Sequence, residues 1–169
     1  EPNGSGVRAE ITLTPMPYGE TWARLGIWLA IGLGIKAAHA GYPVLFDTAT
    51  GWAGRLQAAH AAGRLEHELK RLRRYRMLII DEVGYLPFDA DAANLFFQLI
   101  ASRYEQGSIV LTSNMPFGRW GEIFSDDIVA AAMIDRLVHH AEVLTLGGDS
   151  YRTRARRELL KTPAQPAGK

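Results

Sequence analysis

Two carboxylates stand side by side at the end of an apolar run, Met77-Leu78-Ile79-Ile80-Asp81-Glu82, and no other residues of the chain are better placed to do chemistry. An apolar strand closing on Asp-Glu sets one carboxylate to hold Mg²⁺, directly or through water, while its neighbour orients and deprotonates an attacking water. The plainer alternative is a buried strand whose exit is capped by two solvated acids. The next apolar run decides between them. Ile109-Val110-Leu111-Thr112 closes on Ser113-Asn114, where a polar side chain can reach a terminal phosphate or the attacking water. Taken alone, Asn114 reads better as a turn or cap residue before Pro116; beside Asp81 and Glu82 it gains a second role.

Arg136, in Ile134-Asp135-Arg136-Leu137, lies in a helical stretch. It is either half of a surface ion pair of little energetic weight or a cation offered to a neighbouring subunit's nucleotide. Lys70, Arg71, Arg73 and Arg74, continued by Arg76, form a basic cluster, and Arg152, Arg154, Arg156 and Arg157 form another. Both can meet nucleic-acid phosphates with salt-dependent affinity, or serve only as a solvated helix face and a soluble tail. The histidines suggest no metal site. His139 and His140 are adjacent and so point apart on a helix, and no HExxH-type spacing occurs.

The elements that must position these residues follow from the pattern of apolar runs and breakers. Leu29 to Ala40 reads as a packed helix stopped by Gly41, and Val44-Leu45-Phe46 as a short strand. Trp52 to Ala62 and Leu65 to Tyr75 read as helices divided by Gly63. Met77 to Ile80 is a buried parallel strand with its polar groups at the C-terminal end. A helix is expected over about Asp91 to Glu105, a strand over Ser108 to Thr112, a short segment over Trp120 to Phe124, a helix over about Asp127 to His140 and a last strand over Glu142 to Leu146. Strands separated by helices imply a three-layer α/β domain with a mainly parallel sheet.

Composition limits the function classes. The chain has 169 residues, 47% hydrophobic and 22% charged, which suits one globular domain rather than a disordered chain. With no Cys there are no disulfides, no thiol catalysis and no cysteine-ligated metal. The 19 basic and 18 acidic side chains nearly cancel, so any nucleic-acid contact must come from local clusters. The most apolar stretch, Trp28 to Ala38, is far shorter than the roughly 20 residues of a spanning helix and is interrupted by Lys36. A cytoplasmic setting without membrane contact is the expectation. The polar start, Glu1 to Gly6, reads as a tail or a cut end, and the chain as a fragment of a longer protein.

The run from Leu78 to Arg152, LIIDEVGYLPFDADAANLFFQLIASRYEQGSIVLTSNMPFGRWGEIFSDDIVAAAMIDRLVHHAEVLTLGGDSYR, resembles the IstB-like ATP-binding proteins. These are ATPase helpers of insertion-sequence transposases and relatives of the DnaC helicase loader within the AAA+ class. The resemblance extends back through LAIGLGIKAAHAGYPVLF, so it covers about Leu29 to Arg152. It implies an AAA+-like P-loop NTPase fold, with ATP and Mg²⁺ as cofactors. By position, Asp81 and Glu82 match the Walker B pair, Asp81 on Mg²⁺ and Glu82 polarising water. Asn114 matches sensor 1, and Arg136 the arginine finger that acts across a homo-oligomer interface. The implied partners are a transposase and double-stranded DNA, the latter met by Lys70, Arg71, Arg73 and Arg74. The implied organisation is an atypical N-terminal segment 1–28 in place of the first strand and P-loop, a core 29–150 and a basic tail 151–169.

The departure lies at the P-loop. The family places GxxxxGK[ST] before the helix expected at Leu29, where this chain has Gly19-Glu20-Thr21-Trp22-Ala23-Arg24-Leu25-Gly26-Ile27-Trp28, without the Lys and its following Ser/Thr. A P-loop wraps phosphates with backbone N–H groups, a Lys and a hydroxyl. Trp22, Leu25, Ile27 and Trp28 offer bulk instead. Decay, engineering and a reading-frame shift are three origins for the change. Beginning at the last base of the single Trp22 codon, synonymous codons permit a displaced frame reading Gly-Lys-Thr. Ile11 to Tyr18, where the family has its first core strand, carries Pro15 and Pro17. Two functions remain open from sequence: an ATP-dependent transposition helper, and a non-hydrolysing remnant or interaction module.

Overall fold

The computed structural model describes residues 8–10 and 20–145, with side chains from 25 to 145. The elements run β1 (Arg8–Glu10), α1 (Glu20–His39), β2 (Val44–Thr48), α2 (Ala49–Ala61), α3 (Leu65–Leu72), β3 (Met77–Val83), α4 (Ala90–Arg103), β4 (Ser108–Ser113), α5 (Trp120–Phe124), α6 (Asp127–Val138) and β5 (Ala141–Val143). Strands β2, β3 and β4 form one parallel ladder in that order, and β1 pairs parallel with β5. β1 also lies against β4, which sets the two ladders side by side in the order β2, β3, β4, β1, β5.

Side-chain alternation along β3 assigns its two faces, as the period of two requires. Ile79 joins Ala30 of α1 and Val110 of β4 on one face. α1 approaches that face closely, for a Cβ on Gly34 would lie 2.7 Å from the Ile79 Cδ1 atom. Leu78 and Ile80 point the other way, into the larger core with Trp52 and Leu56 of α2 and Phe96 and Leu99 of α4. Trp52 also donates its indole N–H to the Ile79 carbonyl at 3.1 Å. The sheet is thus covered on both faces, and the expected three-layer α/β architecture with a parallel sheet is what is found. The rings of Phe88, Phe96 and Phe124 pack with centroids 5.2 to 5.8 Å apart, and Trp120 joins Phe124 at 5.6 Å. This cluster anchors α5 to α4.

Arg103, in the last turn of α4, is fully buried. Its guanidinium donates to the carbonyls of Tyr75 at 2.8 Å, Leu72 at 3.2 Å, Arg76 at 3.3 Å and Ser108 at 3.4 Å. A planar fork of donors suits such a convergence of carbonyls, and it ties the end of α3 to the first residues of β3 and β4.

Several expected boundaries move. α1 begins at Glu20 rather than Leu29, because no Pro or Gly pair follows Gly19 until Gly41 and the residues between are mostly helix-compatible. The expected division at residue 28 therefore falls inside one continuous helix. α3 ends at Leu72 rather than Tyr75, and the segment before β3 turns instead, with the Arg74 and Tyr75 N–H groups bonding three residues back. β5 covers Ala141–Val143 in place of Glu142 to Leu146. The stretch Ile11 to Tyr18, Leu146 and the tail 151–169 lie outside the described residues.

Candidate functional site

The acid pair belongs to β3 itself and not to a loop beyond it. The sequence places Asp81 and Glu82 at the polar exit of the strand, whereas the strand continues to Val83. The cause is a bulge. The β3–β4 register runs Met77↔Ser108, Leu78↔Ile109, Ile79↔Val110 and Ile80↔Leu111, then resumes at Val83↔Ser113. Two residues, Asp81 and Glu82, thus stand opposite the single residue Thr112. A bulge leaves its extra residue without ladder partners and re-aims the side chains around it. Glu82 takes a left-handed backbone, φ 61°, and is exposed, while Asp81 beside it is 3% exposed. Gly84 follows with φ 94°, a conformation that glycine reaches without steric cost.

Thr112 fills the gap in the ladder. Its hydroxyl accepts a hydrogen bond from the Glu82 backbone N–H at 3.1 Å and donates to the Asp81 Oδ1 atom. The next residue extends the tie, for the Ser113 hydroxyl lies 2.8 Å from the Val83 carbonyl and 2.9 Å from that of Met115. The Asn114 N–H donates to the Val83 carbonyl at 3.3 Å. A Cβ on Gly84 would sit 2.8 Å from the Asn114 Oδ1 atom, so the carboxamide lies directly against the turn that follows the acids. That Oδ1 atom is buried and has no hydrogen-bond partner. An unsatisfied buried acceptor is costly and uncommon, and here it sits beside the acid pair.

The remaining candidates lie elsewhere. Arg136 donates to the Ala132 carbonyl at 3.1 Å and its guanidinium stands 4.7 Å from the centre of the Phe97 ring, on the seam between α4 and α6. Lys70, Arg71, Arg73 and Arg74 are exposed at and just beyond the end of α3. They lie at the opposite end of β3 from the acids, because they lead into its first residue. Arg71 is paired with Glu68 at 2.7 Å. Among the described residues no group of three or more His, Cys, Asp or Glu could hold a metal ion. His139 accepts or donates at 2.9 Å to the Tyr104 hydroxyl, and His140 lies 3.5 Å from Glu105.

The two halves of a Mg²⁺–nucleotide site fit unequally. On the acid side, a sheltered carboxylate and an exposed one are adjacent in the bulge and the Asn114 oxygen lies against the turn that follows them, the donor chemistry of a cation held by few protein ligands together with phosphates. On the cradle side, α1 is already helical from Glu20, Leu25 and Trp28 are exposed, and Ile27 offers no hydroxyl. The phosphate-holding half does not fit.

Sequence reasoning passed over Thr112, Gly84 and Arg103. A signal for Thr112 was present: it is the first side chain with a hydroxyl after Ile109-Val110-Leu111, inside a run that otherwise reads as fully apolar.

The fold is of the AAA+ P-loop type, as in DnaA and DnaC. The AMPPCP-bound DnaA of Aquifex aeolicus matches with a TM-score of 0.65 and 19% identity, over 98% of this chain and 48% of that one. A DnaC helicase loader matches with a TM-score of 0.59 and 15% identity, over 82% of this chain and 77% of that one. At such identities the likeness concerns the fold alone.

The family is narrower. Residues 17–159 match the model of the IstB-like ATP binding proteins, and the chain belongs to that family. A protein named as the ATP-binding protein of insertion sequence IS21 in Pseudomonas aeruginosa is 47% identical over 148 residues, 88% of this chain and 54% of the relative. Its counterpart of insertion sequence IS5376 in Geobacillus stearothermophilus is 46% identical over 129 residues, 76% of this chain and 51% of the relative. The chain spans about half the length of the curated relatives it matches. Among the described residues no helix is long and apolar enough to cross a membrane.

Proposed function

We propose that this chain is the nucleotide-handling core of an ATP-dependent helper of DNA transposition. The observation that carries the reading is the bulge that gathers Asp81, Glu82 and Asn114 at one end of β3 and β4, in a chain whose family is described as ATP binding. In this reading Asp81 would hold Mg²⁺, Glu82 would face the attacking water, and Asn114 would lie toward the γ-phosphate. Arg136 reaches a nucleotide on a neighbouring copy of the chain, leaving its place over Phe97. Bound Mg²⁺ would supply charge neutralisation at the phosphates.

The basic end of the domain supports contact with double-stranded DNA through Lys70, Arg71, Arg73 and Arg74. They sit away from the acids, so DNA and nucleotide need not compete for one surface. Names of the relatives place them in insertion sequences, and a transposase is the partner this reading assigns.

A second reading is favoured by one observation. α1 is helical through the stretch where a phosphate loop belongs, and Gly26 and Ile27 stand where the family has Lys and Thr. On that ground the chain is an interaction module that keeps the fold and binds nucleotide weakly or not at all. Turnover of Mg²⁺–ATP by the purified chain, measured against Glu82→Gln, separates the two. A rate above that variant supports the helper ATPase. Absence of both nucleotide binding and turnover defeats it and leaves the module.

A further inference from the structure

We propose that Thr112 is the positioning residue of the acid pair, one hydroxyl that orients the Asp81 carboxylate and holds the Glu82 backbone in its left-handed turn. The inference rests on the reading of Asp81 and Glu82 as the pair that handles nucleotide and Mg²⁺.

A bulge removes ladder partners. In an unbroken parallel ladder a backbone group of β4 would take the Glu82 N–H, while Asp81 keeps its register with Thr48 of β2. The register instead skips from Ile80↔Leu111 to Val83↔Ser113. Something else must satisfy the Glu82 N–H and hold the strand, since an unpaired backbone group near the core is costly. Thr112 does both with one oxygen, accepting from the Glu82 N–H at 3.1 Å while donating a hydrogen bond to the Asp81 Oδ1 atom. A hydroxyl can serve as donor and acceptor at once; valine, of the same shape, can do neither.

This geometry has a directional consequence. Thr112 is 3% exposed and its β-branched side chain is stiff about χ1, so its oxygen has a defined place in the strand. The hydrogen bond that Thr112 donates to Oδ1 fixes the orientation of the sheltered Asp81 carboxylate. The same hydroxyl stabilises φ 61° at Glu82, a backbone state costly for a residue with a Cβ, and that state turns the Glu82 side chain to solvent. Thr112 itself touches no ligand in this scheme. It acts through Asp81 and Glu82, which is why its role differs from theirs.

The test compares the 169-residue chain with Thr112→Val and Thr112→Ser. The first readout is hydrogen exchange of the Glu82 amide by NMR, which needs no nucleotide. Thr112→Val is expected to speed that exchange about tenfold, the scale of one lost hydrogen bond, while Thr112→Ser stays close to the parent chain. The second readout is the affinity for a fluorescent ATP analogue with Mg²⁺ and with EDTA. Thr112→Val is expected to lose the gain that Mg²⁺ gives, keep the affinity seen in EDTA, and be rescued by Ser. Glu82 exchange equal in all three chains overturns the proposal, and so does a rise that Ser fails to reverse, which would mean packing alone. Mg²⁺-dependent binding that survives Thr112→Val unchanged also overturns it. If the parent chain itself gains nothing from Mg²⁺, the nucleotide reading falls, and Glu82 exchange still decides whether Thr112 sets the pair. Thr112→Ala carries the same readouts if Thr112→Val does not melt cooperatively.

Discussion

Replacing Arg103 with methionine removes the guanidinium while keeping most of the side chain's length, and its cost can be worked from the carbonyls it serves. The Tyr75 carbonyl takes its bond from Arg103 at 2.8 Å. The Leu72 carbonyl also accepts from the Tyr75 N–H at 3.2 Å, and the Arg76 carbonyl from the Ser108 N–H at 2.9 Å, so these two keep a partner. Stranding the part-buried Tyr75 carbonyl costs about 1 to 3 kcal/mol, and each further charge-assisted bond lost, to Leu72, Arg76 and Ser108, adds roughly 1 kcal/mol or more. Against this stands the relief of a buried charge, which offsets part of the loss. The net expectation for Arg103→Met is a destabilisation of about 2 to 4 kcal/mol. With a urea m-value of about 2 kcal/mol per molar for a domain of this size, the midpoint falls by about 1 to 2 M at unchanged slope. Arg103→Lys lies between, because a single ammonium cannot span four carbonyls. A midpoint within about 0.3 M of the parent chain would refute the reasoning, showing that water or backbone adjustment replaces the guanidinium.

Other outcomes follow from local geometry. Gly84→Ala places a Cβ 2.8 Å from the Asn114 Oδ1 atom and 2.9 Å from Ile123 at φ 94°, so it should lower the urea midpoint by the equivalent of about 1 to 3 kcal/mol and shift the Asn114 amide resonances. Asp126 caps α6 by accepting from the N–H groups of Ile128 and Val129, and Asp126→Ala should cost about 1 kcal/mol in the same assay. The Arg119 guanidinium hydrogen-bonds Glu122 and holds its carboxyl below the ordinary glutamate value. A depressed folded value means that the pair's contribution is present at neutral pH and is lost as pH falls through that value. An NMR titration should place the Glu122 midpoint below an ordinary glutamate, and Arg119→Gln should raise it.

Much of the fold was legible because continuous apolar runs bounded by Gly and Pro define buried parallel strands. Met77 to Ile80 and Ser108 to Thr112 needed only their composition to be placed. The bulge was not legible. Register is a relation between two strands, and nothing in Asp81-Glu82 alone tells that Thr112 will face them both. Arg103 misleads for another reason. A cation in the last turn of a helix ordinarily sits in solvent near the C-terminal carbonyls, and only tertiary packing brings the carbonyls of Leu72, Tyr75, Arg76 and Ser108 around it. The start of α1 differs because small and apolar content marks the helix only from Leu29, whereas Glu20 to Trp28 contains nothing that breaks a helix apart from one buried Gly26. The acid pair and Asn114 were found from strand ends, where polar residues after apolar runs stand out. Their mutual arrangement needed the structure.

Calorimetric titration of the purified chain with ATP, with and without Mg²⁺, beside Asp81→Asn, decides whether the acid pair holds the cation. Saturable binding is expected in about the millimolar range, weak because α1 is helical where a phosphate loop belongs. That binding should be strengthened by Mg²⁺ in the parent chain and indifferent to it in Asp81→Asn. Absence of binding under both conditions, or a Mg²⁺ effect that survives Asp81→Asn, would contradict the assignment of the acid pair.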